Sequence, residues 1–405
     1  MQAQAEIAVI GAGVVGLACA LRLHHAGHDV VLVAPEDEET GASYGNAGVI
    51  ADYAVMPVGT PDVLRDLPRL LFDRDSPLAI RHAAMATLAP WLLRFARECL
   101  PGRARANAQA IAALLAPAAQ MWRDLATEIG ARDQLKAHGS LYLYETPDQA
   151  LDLAQHRALG VNVEALSGDE LGQLEPALRG QAGGAFFPDT LTVNDPATLL
   201  RALRAALADV PRLHARVERL ERSTQGITLS GPGLNLRAAR VVLAAGAWSK
   251  RLAAMAGDKV PLDTERGYHL EYDSLENPLT RQTSPVARGW YFCPMQGRLR
   301  VAGTVELGRL TAPPAPHRWA VMDRGARAIL PDLPAPSRRW MGFRPSIPDS
   351  RPVIGLSRGG ADVIHAYGHG HLGLTLAPVT AQMVLNLING RGPILDPAPY
   401  RVDRF

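Results

Sequence analysis

Cysteine is nearly absent. Cys19, Cys99 and Cys293 are three in 405 residues, widely spaced and without a CxxC pair. That excludes a disulfide-stapled secreted scaffold and suits a reducing cytosol. Lysine is equally scarce: only Lys136, Lys250 and Lys259 occur, and the other 39 basic residues are arginine, a bias of genome composition rather than of function. Neither charge sign dominates, with 42 basic and 40 acidic residues, so no concentrated basic face marks a nucleic-acid binder. No apolar run spans a bilayer. The longest uncharged stretch, 363–390, contains histidines, glycines, Pro378 and two asparagines and reads as a buried loop followed by a buried helix. The first six residues carry neither a basic start nor a cleavage site, so the expected location is the cytoplasm. With 47% hydrophobic and 20% charged residues, the chain has material for two or three domains with a sizeable core.

The first positive signal is a strand-like run, Ile7-Ala8-Val9-Ile10, followed at once by Gly11-Ala12-Gly13-Val14-Val15-Gly16. An Ala/Leu-rich helix ends near Gly27, and Asp29 to Val33 forms a second strand. Strand, glycine turn, helix and strand make a dinucleotide-binding unit. Gly11 permits the tight turn, Gly13 lets the backbone approach a pyrophosphate, and Gly16 lets helix and strand pack closely. The helix start, with Val14 and Val15, presents free N–H groups and a positive dipole end to phosphate. One departure stands out. The acid that holds a ribose should lie near position 34, which is Ala34; Glu36 and Asp37 lie just beyond, within a run that also reads as a solvated acidic loop over 36–39.

Two further segments favour flavin over nicotinamide. Gly41 to Gly48 is a small-residue loop with Ser43 and Asn46 as donors and room for close approach of a planar ring. Arg240 to Leu243 is a strand that stops at Ala244-Ala245-Gly246-Ala247-Trp248, as a strand completing a dinucleotide crevice would.

These segments, with Thr192-Val193-Asn194-Asp195-Pro196, Arg266-Gly267-Tyr268, Gly303-Thr304-Val305-Glu306, Gly342-Phe343-Arg344-Pro345 with Asp349, and Gly368-His369-Gly370-His371-Leu372-Gly373, resemble the FAD-dependent amino acid oxidase and dehydrogenase family. That family includes glycine oxidase, sarcosine oxidase and bacterial D-amino acid dehydrogenase. The resemblance runs over nearly the whole chain and is strongest to the D-amino acid dehydrogenases. The stretch His369 to Thr375 is most similar to the branch that oxidises D-proline and cis-4-hydroxy-D-proline.

The resemblance implies an α/β fold: a Rossmann-like FAD domain of the glutathione reductase type, interrupted by a second α+β substrate domain with an antiparallel sheet. The expected division is 1–51, 182–250 and 341–405 for FAD, and 52–181 and 251–340 for substrate. Strand-like runs at Ser140 to Tyr144, Tyr268 to Tyr272, Gly289 to Cys293 and Leu299 to Gly303 supply that second sheet, and 83–99 and 107–129 read as helices. FAD would be non-covalent, because the cysteine that sarcosine oxidase-like relatives carry near the region equivalent to 345–355 is missing. Its expected contacts are Gly11, Gly13, Val14, Val15, Gly16, Ser43, Asn46, Gly48, Val217, Ala245, Gly246, Trp248, Gly370, His371, Leu372 and Gly373.

Oxidising an amino acid at its α-carbon requires a clamped carboxylate, a neutral amine and a Cα–H aimed at flavin N5. Arg344 is the expected clamp, since a guanidinium fork pairs both carboxylate oxygens; the alternative is a structural ion pair with Asp349. Tyr291 would add a hydrogen bond or simply fill the core. Tyr268 and His369 complete the candidate catalytic set, and His269 and Tyr44 are further pocket candidates. No strong base is assigned. His365, His369 and His371 lack a cysteine or carboxylate to complete a metal set, so no metal is assigned.

The reading is oxidative deamination of a D-amino acid, giving an imino acid. Three alternatives stay open: D-proline or cis-4-hydroxy-D-proline dehydrogenation, a glycine, sarcosine or 2-hydroxy acid substrate, and a non-catalytic FAD subunit of a larger dehydrogenase. A nicotinamide enzyme is disfavoured by Ala34. The resemblance also implies a respiratory quinone or another electron acceptor. Residues 78–105 hold Trp91 and five arginines against one acid, Glu98, a composition suited to peripheral contact with the inner membrane or to an ordinary solvated helix.

Overall fold

Buried parallel strands read as unbroken apolar runs because helices cover both faces, and residues 7–10, 30–33 and 241–243 at the centre of the first sheet are such runs. The computed structural model describes residues 3–36, 41–66, 75–273 and 276–405. Strands Arg212–His214, Val30–Ala34, Ala3–Ile10, Leu234–Leu243 and Gly360–Tyr367 lie side by side, all parallel. An antiparallel hairpin, Arg219–Ser223 with Gly226–Gly231, and the short strand Val353–Ser357 extend it to eight strands. Helices Val14–His25 and Gly373–Ile388 pack together on one face through Leu17, Leu21, Ala377 and Ala381. Helix Ser249–Met255 covers the other through Leu252 and Ala253.

The uncharged stretch 363–390 differs from the sequence expectation in its first half. Val363 to Tyr367 are fully buried and form the end of a central strand, not a loop. Its second half is the expected helix. The two long helices expected over 83–129 are three, Met85–Glu98, Pro101–Leu115 and Ala118–Glu128. Proline sets both breaks: Pro101 opens one helix and Pro117 caps the next, because proline lacks the N–H a helix interior needs.

The second sheet has nine strands and is mostly antiparallel, in the order Arg338–Ser346, Asp263–Asp273, Arg298–Leu307, Trp290–Met295, Gln282–Pro285, Ser140–Tyr144, Gly183–Phe187, Glu164–Ser167, with Leu78–Ile80 beside Arg298–Leu307. Hydrogen bonding puts 183–187 and 338–346 in this sheet, across the expected boundaries at 181 and 340. Helix Pro316–Ile329 covers one face, against Tyr268, Leu270, Tyr272, Phe292 and Val301. The other face looks toward the first sheet.

Candidate active site

The five parallel strands end on one edge, and the turns leaving them define a crevice at their carboxyl ends, where ligands bind in open α/β sheets. Gly11 leaves the first strand with φ +111, and a Cβ there would lie 2.4 Å from the Ala244 carbonyl oxygen. A Cβ on Gly16 would lie 1.9 Å from the Gly11 carbonyl oxygen. Turn, helix and the Leu234–Leu243 strand therefore close on one another with no room for a side chain. Helix Val14–His25 has no acidic residue in its first turn, so its free N–H groups and positive end suit a pyrophosphate. Ser43 Oγ accepts the Val14 N–H at 3.0 Å, which ties the 41–48 loop to the helix start. Ala34 pairs with His214, and the Ala215 N–H donates to the Ala34 carbonyl. Val217 follows on the same edge, packed against the core below it. Glu36 is exposed; Asp37, Glu38 and Glu39 lie outside the described residues.

The second sheet grips the 41–48 loop from the far side. Opposed residues on antiparallel strands share a face, so one face carries Trp340, Gly342 and Arg344, then Glu265, Gly267, His269 and Glu271, then Arg300 and Ala302, then Tyr291 and Cys293. Arg300 donates to the carbonyls of Tyr44 (3.1 Å) and Asn46 (2.6 Å), and its guanidinium is neutralised by Glu271 at 2.6 Å. His269 Nδ1 lies 3.2 Å from the Gly45 carbonyl, and its ring stacks on Trp340 at 4.9 Å. A Cβ on Gly45 would lie 2.2 Å from that Trp340 ring. Asn46 Oδ1 accepts the Gly48 N–H at 2.7 Å, so its side chain shapes the loop. Asp195 caps helix Pro196–Ala205 and also pairs with Arg298, which reaches Glu271. Burial and the Arg300 charge push the His269 imidazole down to about 3, so it is neutral and not a proton carrier at ordinary pH.

Arg344 stands apart from four other arginines in or beside this sheet that are shielded from solvent. Arg266, Arg281, Arg298 and Arg300 each pair with a carboxylate at 2.6–2.9 Å. Arg344 donates to the Thr304 carbonyl at 2.7 Å and the Gly303 carbonyl at 3.5 Å. Among the described residues no carboxylate lies within 4.0 Å of it. Asp349 is engaged instead by Arg351 and Arg404. Glu265, its cross-strand neighbour, is buried, and burial raises its carboxyl against the opposing pull of Arg344. Arg344 thus feels Glu265 only at a distance, and its direct partners are neutral carbonyls. Its guanidinium lies across Gly267, where a Cβ would be 2.5 Å from Cζ.

Tyr291 belongs to the same face. Burial raises its phenol, with Arg344 pulling the other way and Tyr53 nearby. Tyr53 stacks on Phe187 at 4.3 Å and meets Tyr142 edge-on, so the wall beside Arg344 is aromatic, neutral and hydroxyl-bearing. His371 is exposed to solvent, close enough to Arg344 to feel its charge.

Two candidate catalytic residues sit elsewhere. Tyr268 occupies the opposite face of the sheet, meets Trp319 edge-on and accepts the Ala315 N–H at 3.1 Å. It is one residue out of phase with Gly267 and His269, so it cannot share their face. His369 is buried with its Nε2 against Thr380 Oγ1 at 2.9 Å, a contact into the helix behind. The Gly370 N–H is taken by the Pro345 carbonyl. The donors left at that turn include the His371 N–H and the first N–H groups of helix Gly373–Ile388, those of Gly373, Leu374 and Thr375. Leu372 precedes them as the cap and is buried. Ala245 and Gly246 line the end of the Leu234–Leu243 strand, and Trp248, half exposed, meets Phe343 edge-on at 5.9 Å. The two sheets therefore touch one residue before Arg344. Sequence reasoning missed Arg300, Trp340, Glu265 and Tyr53. One signal was present: the strands Asp263–Asp273 and Arg298–Leu307 carry both charge signs, mostly at alternating positions, Glu271 and Arg300 among them.

A glycine cradle that excludes side chains, a helix start free of acids and a second loop clamped over it fit a dinucleotide. A model of the FAD dependent oxidoreductases matches residues 6–387. The chain belongs to that family. Its cofactor is FAD, and this flavoprotein is an oxidoreductase. It is 34% identical to a D-amino-acid oxidase of Bradyrhizobium diazoefficiens, with 99% of each chain covered. It is 31% identical to D-amino acid dehydrogenase 2 of Ralstonia nicotianae, over 98% of this chain and 100% of that one. Its fold matches the crystal structure of glycine oxidase from Geobacillus kaustophilus with a TM-score of 0.79 at 23% identity, covering 100% and 99% of the two chains.

Proposed function

We propose that this flavoprotein dehydrogenates D-amino acids at the α-carbon, with Arg344 as the carboxylate clamp. The observation that carries the reading is the guanidinium of Arg344, held by neutral carbonyls and left without a carboxylate beside the Tyr291 phenol. A substrate carboxylate would complete that pair. The two relatives named above, a D-amino-acid oxidase and a D-amino acid dehydrogenase, support the D-configuration. The Gly11–Gly16 turn and the 41–48 loop would hold FAD, which would supply the acceptor for the α-hydrogen as hydride, the neutral amine becoming an iminium. Tyr291 stays protonated and donates to the carboxylate. The neutral, hydroxyl-bearing wall of Tyr53 and Tyr142 borders the side-chain space. We assign the nucleotide role to the first sheet and the substrate role to the second.

The test is anaerobic mixing with single amino acids while following the flavin absorbance. The panel holds D-proline, cis-4-hydroxy-D-proline, D-alanine, D-arginine, their L-forms, glycine and sarcosine. Bleaching by D-forms is expected, and the fastest member fixes the branch. Bleaching by glycine or sarcosine alone, or by none, would remove the D-amino acid reading.

The electron acceptor belongs to the same proposal. No helix among the described residues is long and apolar enough to cross a membrane. Helix Met85–Glu98 turns Trp91 inward, stacked on Phe95 at 5.3 Å, so tryptophan is not its lipid anchor. Leu93 and Leu100 are exposed among Arg94, Arg97 and Arg103. That mixture supports peripheral docking on anionic lipid, where a quinone would take the electrons. Co-sedimentation with anionic but not neutral vesicles is expected; protein left wholly in the supernatant with both would remove the membrane contact.

A further inference from the structure

The strand Arg298–Leu307 changes neighbours in its middle. Up to Gly303 it pairs with Trp290–Met295, and from Val305 onward with Leu78–Ile80. Thr304 sits at the change: its N–H still reaches the Gly289 carbonyl at 2.8 Å, while the Val305 N–H already reaches Pro77 at 2.8 Å. On the other side, Gly303 opposes Tyr268 and Glu306 opposes Arg266. Two residues, Thr304 and Val305, therefore face the single Gly267, which is a β-bulge.

The bulge carries a strained residue. Thr304 has φ +54, the left-handed region that a β-branched side chain disfavours. Such conformations persist only where the surroundings enforce them, and they concentrate at functional sites. Here the consequence is visible. In a regular strand successive carbonyls point in opposite directions, yet the carbonyls of Gly303 and Thr304 both converge on Arg344. The Thr304 hydroxyl makes no hydrogen bond among the described residues, so the backbone, not the side chain, does the holding.

The geometry points to Thr304 as a positioning residue: its left-handed bulge aims two neutral carbonyls that hold the Arg344 guanidinium over Gly267, with no carboxylate in direct ion-pair contact among the described residues. A carboxylate in that place would hold Arg344 as firmly and would compete with the substrate. The inference rests on the reading of Arg344 as the carboxylate clamp, and its test separates the two.

Deleting Thr304 removes the bulge while keeping both flanking registers, since Val305 would then oppose Gly267 between the unchanged Gly303–Tyr268 and Glu306–Arg266 pairs. In that holoenzyme only one carbonyl can point at Arg344. KM for the panel amino acid that reduces wild-type flavin fastest is expected to rise about tenfold or more, the scale of a lost hydrogen bond to a charged group. The limiting rate should fall by less, with FAD retained. Thr304→Gly, which adopts positive φ freely, should keep KM within about twofold of wild type. An unchanged KM in the deletion variant overturns the assignment, provided Arg344→Gln raises it; an unchanged KM in both overturns the clamp reading itself. Should the deletion not fold, Thr304→Gly against Thr304→Pro decides. A higher KM for proline supports positioning, because its ring fixes φ at a negative value and excludes the left-handed bulge. A higher KM for glycine overturns it, because that order reports side-chain packing.

Discussion

Arg344→Gln is expected to leave FAD bound and to weaken substrate binding by about two to three orders of magnitude, since removing one partner of a hydrogen-bonded charge pair costs about 2–5 kcal/mol and each decade is about 1.4 kcal/mol. Among the described residues the guanidinium hydrogen-bonds only to carbonyls of the second sheet, so its loss is not expected to disturb the glycine cradle. Glutamine keeps donors for Thr304 and Gly303 but brings no charge. Glu265 is then left buried without the one cation that faces it; its carboxyl, already raised by burial, protonates more readily, which softens the cost to folding. Arg344→Lys should recover little, because a point charge cannot make the planar fork. Anaerobic titration of flavin reduction against substrate concentration separates the apparent affinity from the limiting rate. A wild-type affinity in Arg344→Gln would sink the clamp.

The parts legible in the sequence were those whose physics is local. Gly16 is dictated by close approach to Gly11 within one turn, while Gly11 also meets Ala244 and Gly13 meets Ser43; strand, turn and helix were still readable from a dozen residues. Arg344 was legible through its motif, but its freedom from Asp349 was not, because that depends on Arg404 at the far end of the chain. Tyr268 and Tyr291 looked alike, each aromatic on a strand in a marked segment. What separates them is parity: Tyr291 opposes Ala302, and Tyr268 opposes Gly303, a difference of one residue that puts them on opposite faces. Pairing register between strands is a tertiary fact, and no single strand's residues reveal it. Arg300 was missed for the same reason. Its partners, Glu271 and the carbonyls of Tyr44 and Asn46, come from two segments far from it in sequence. His369 was placed at the flavin by its glycine-rich surroundings, and the structure instead turns it onto Thr380.

Gly16→Ala should cost the enzyme its cofactor. The added Cβ would sit 1.9 Å from the Gly11 carbonyl oxygen and 2.9 Å from its carbon, which are backbone atoms that cannot swing aside. Gly11 cannot retreat either, because the space beyond it is filled by the Ala244 carbonyl, 2.4 Å from where its own Cβ would be. Relief therefore requires helix Val14–His25 to move off the strand, against its packing on helix Gly373–Ile388. Overpacking of this kind costs about 1–3 kcal/mol or more, and the displaced helix start no longer aims its N–H groups at the pyrophosphate. Gly13→Ala provides the contrast. There the nearest atom to a Cβ is the Ser43 hydroxyl at 3.1 Å, a side chain that can rotate, so the cost is the Val14–Ser43 hydrogen bond and some crowding of the phosphates. The expected order of flavin content in purified protein is wild type above Gly13→Ala above Gly16→Ala, with Gly16→Ala near zero and melting lower. Full flavin content in Gly16→Ala would mean that the turn relaxes as a unit, and that the tight contact among strand, glycine turn and helix is not what holds FAD.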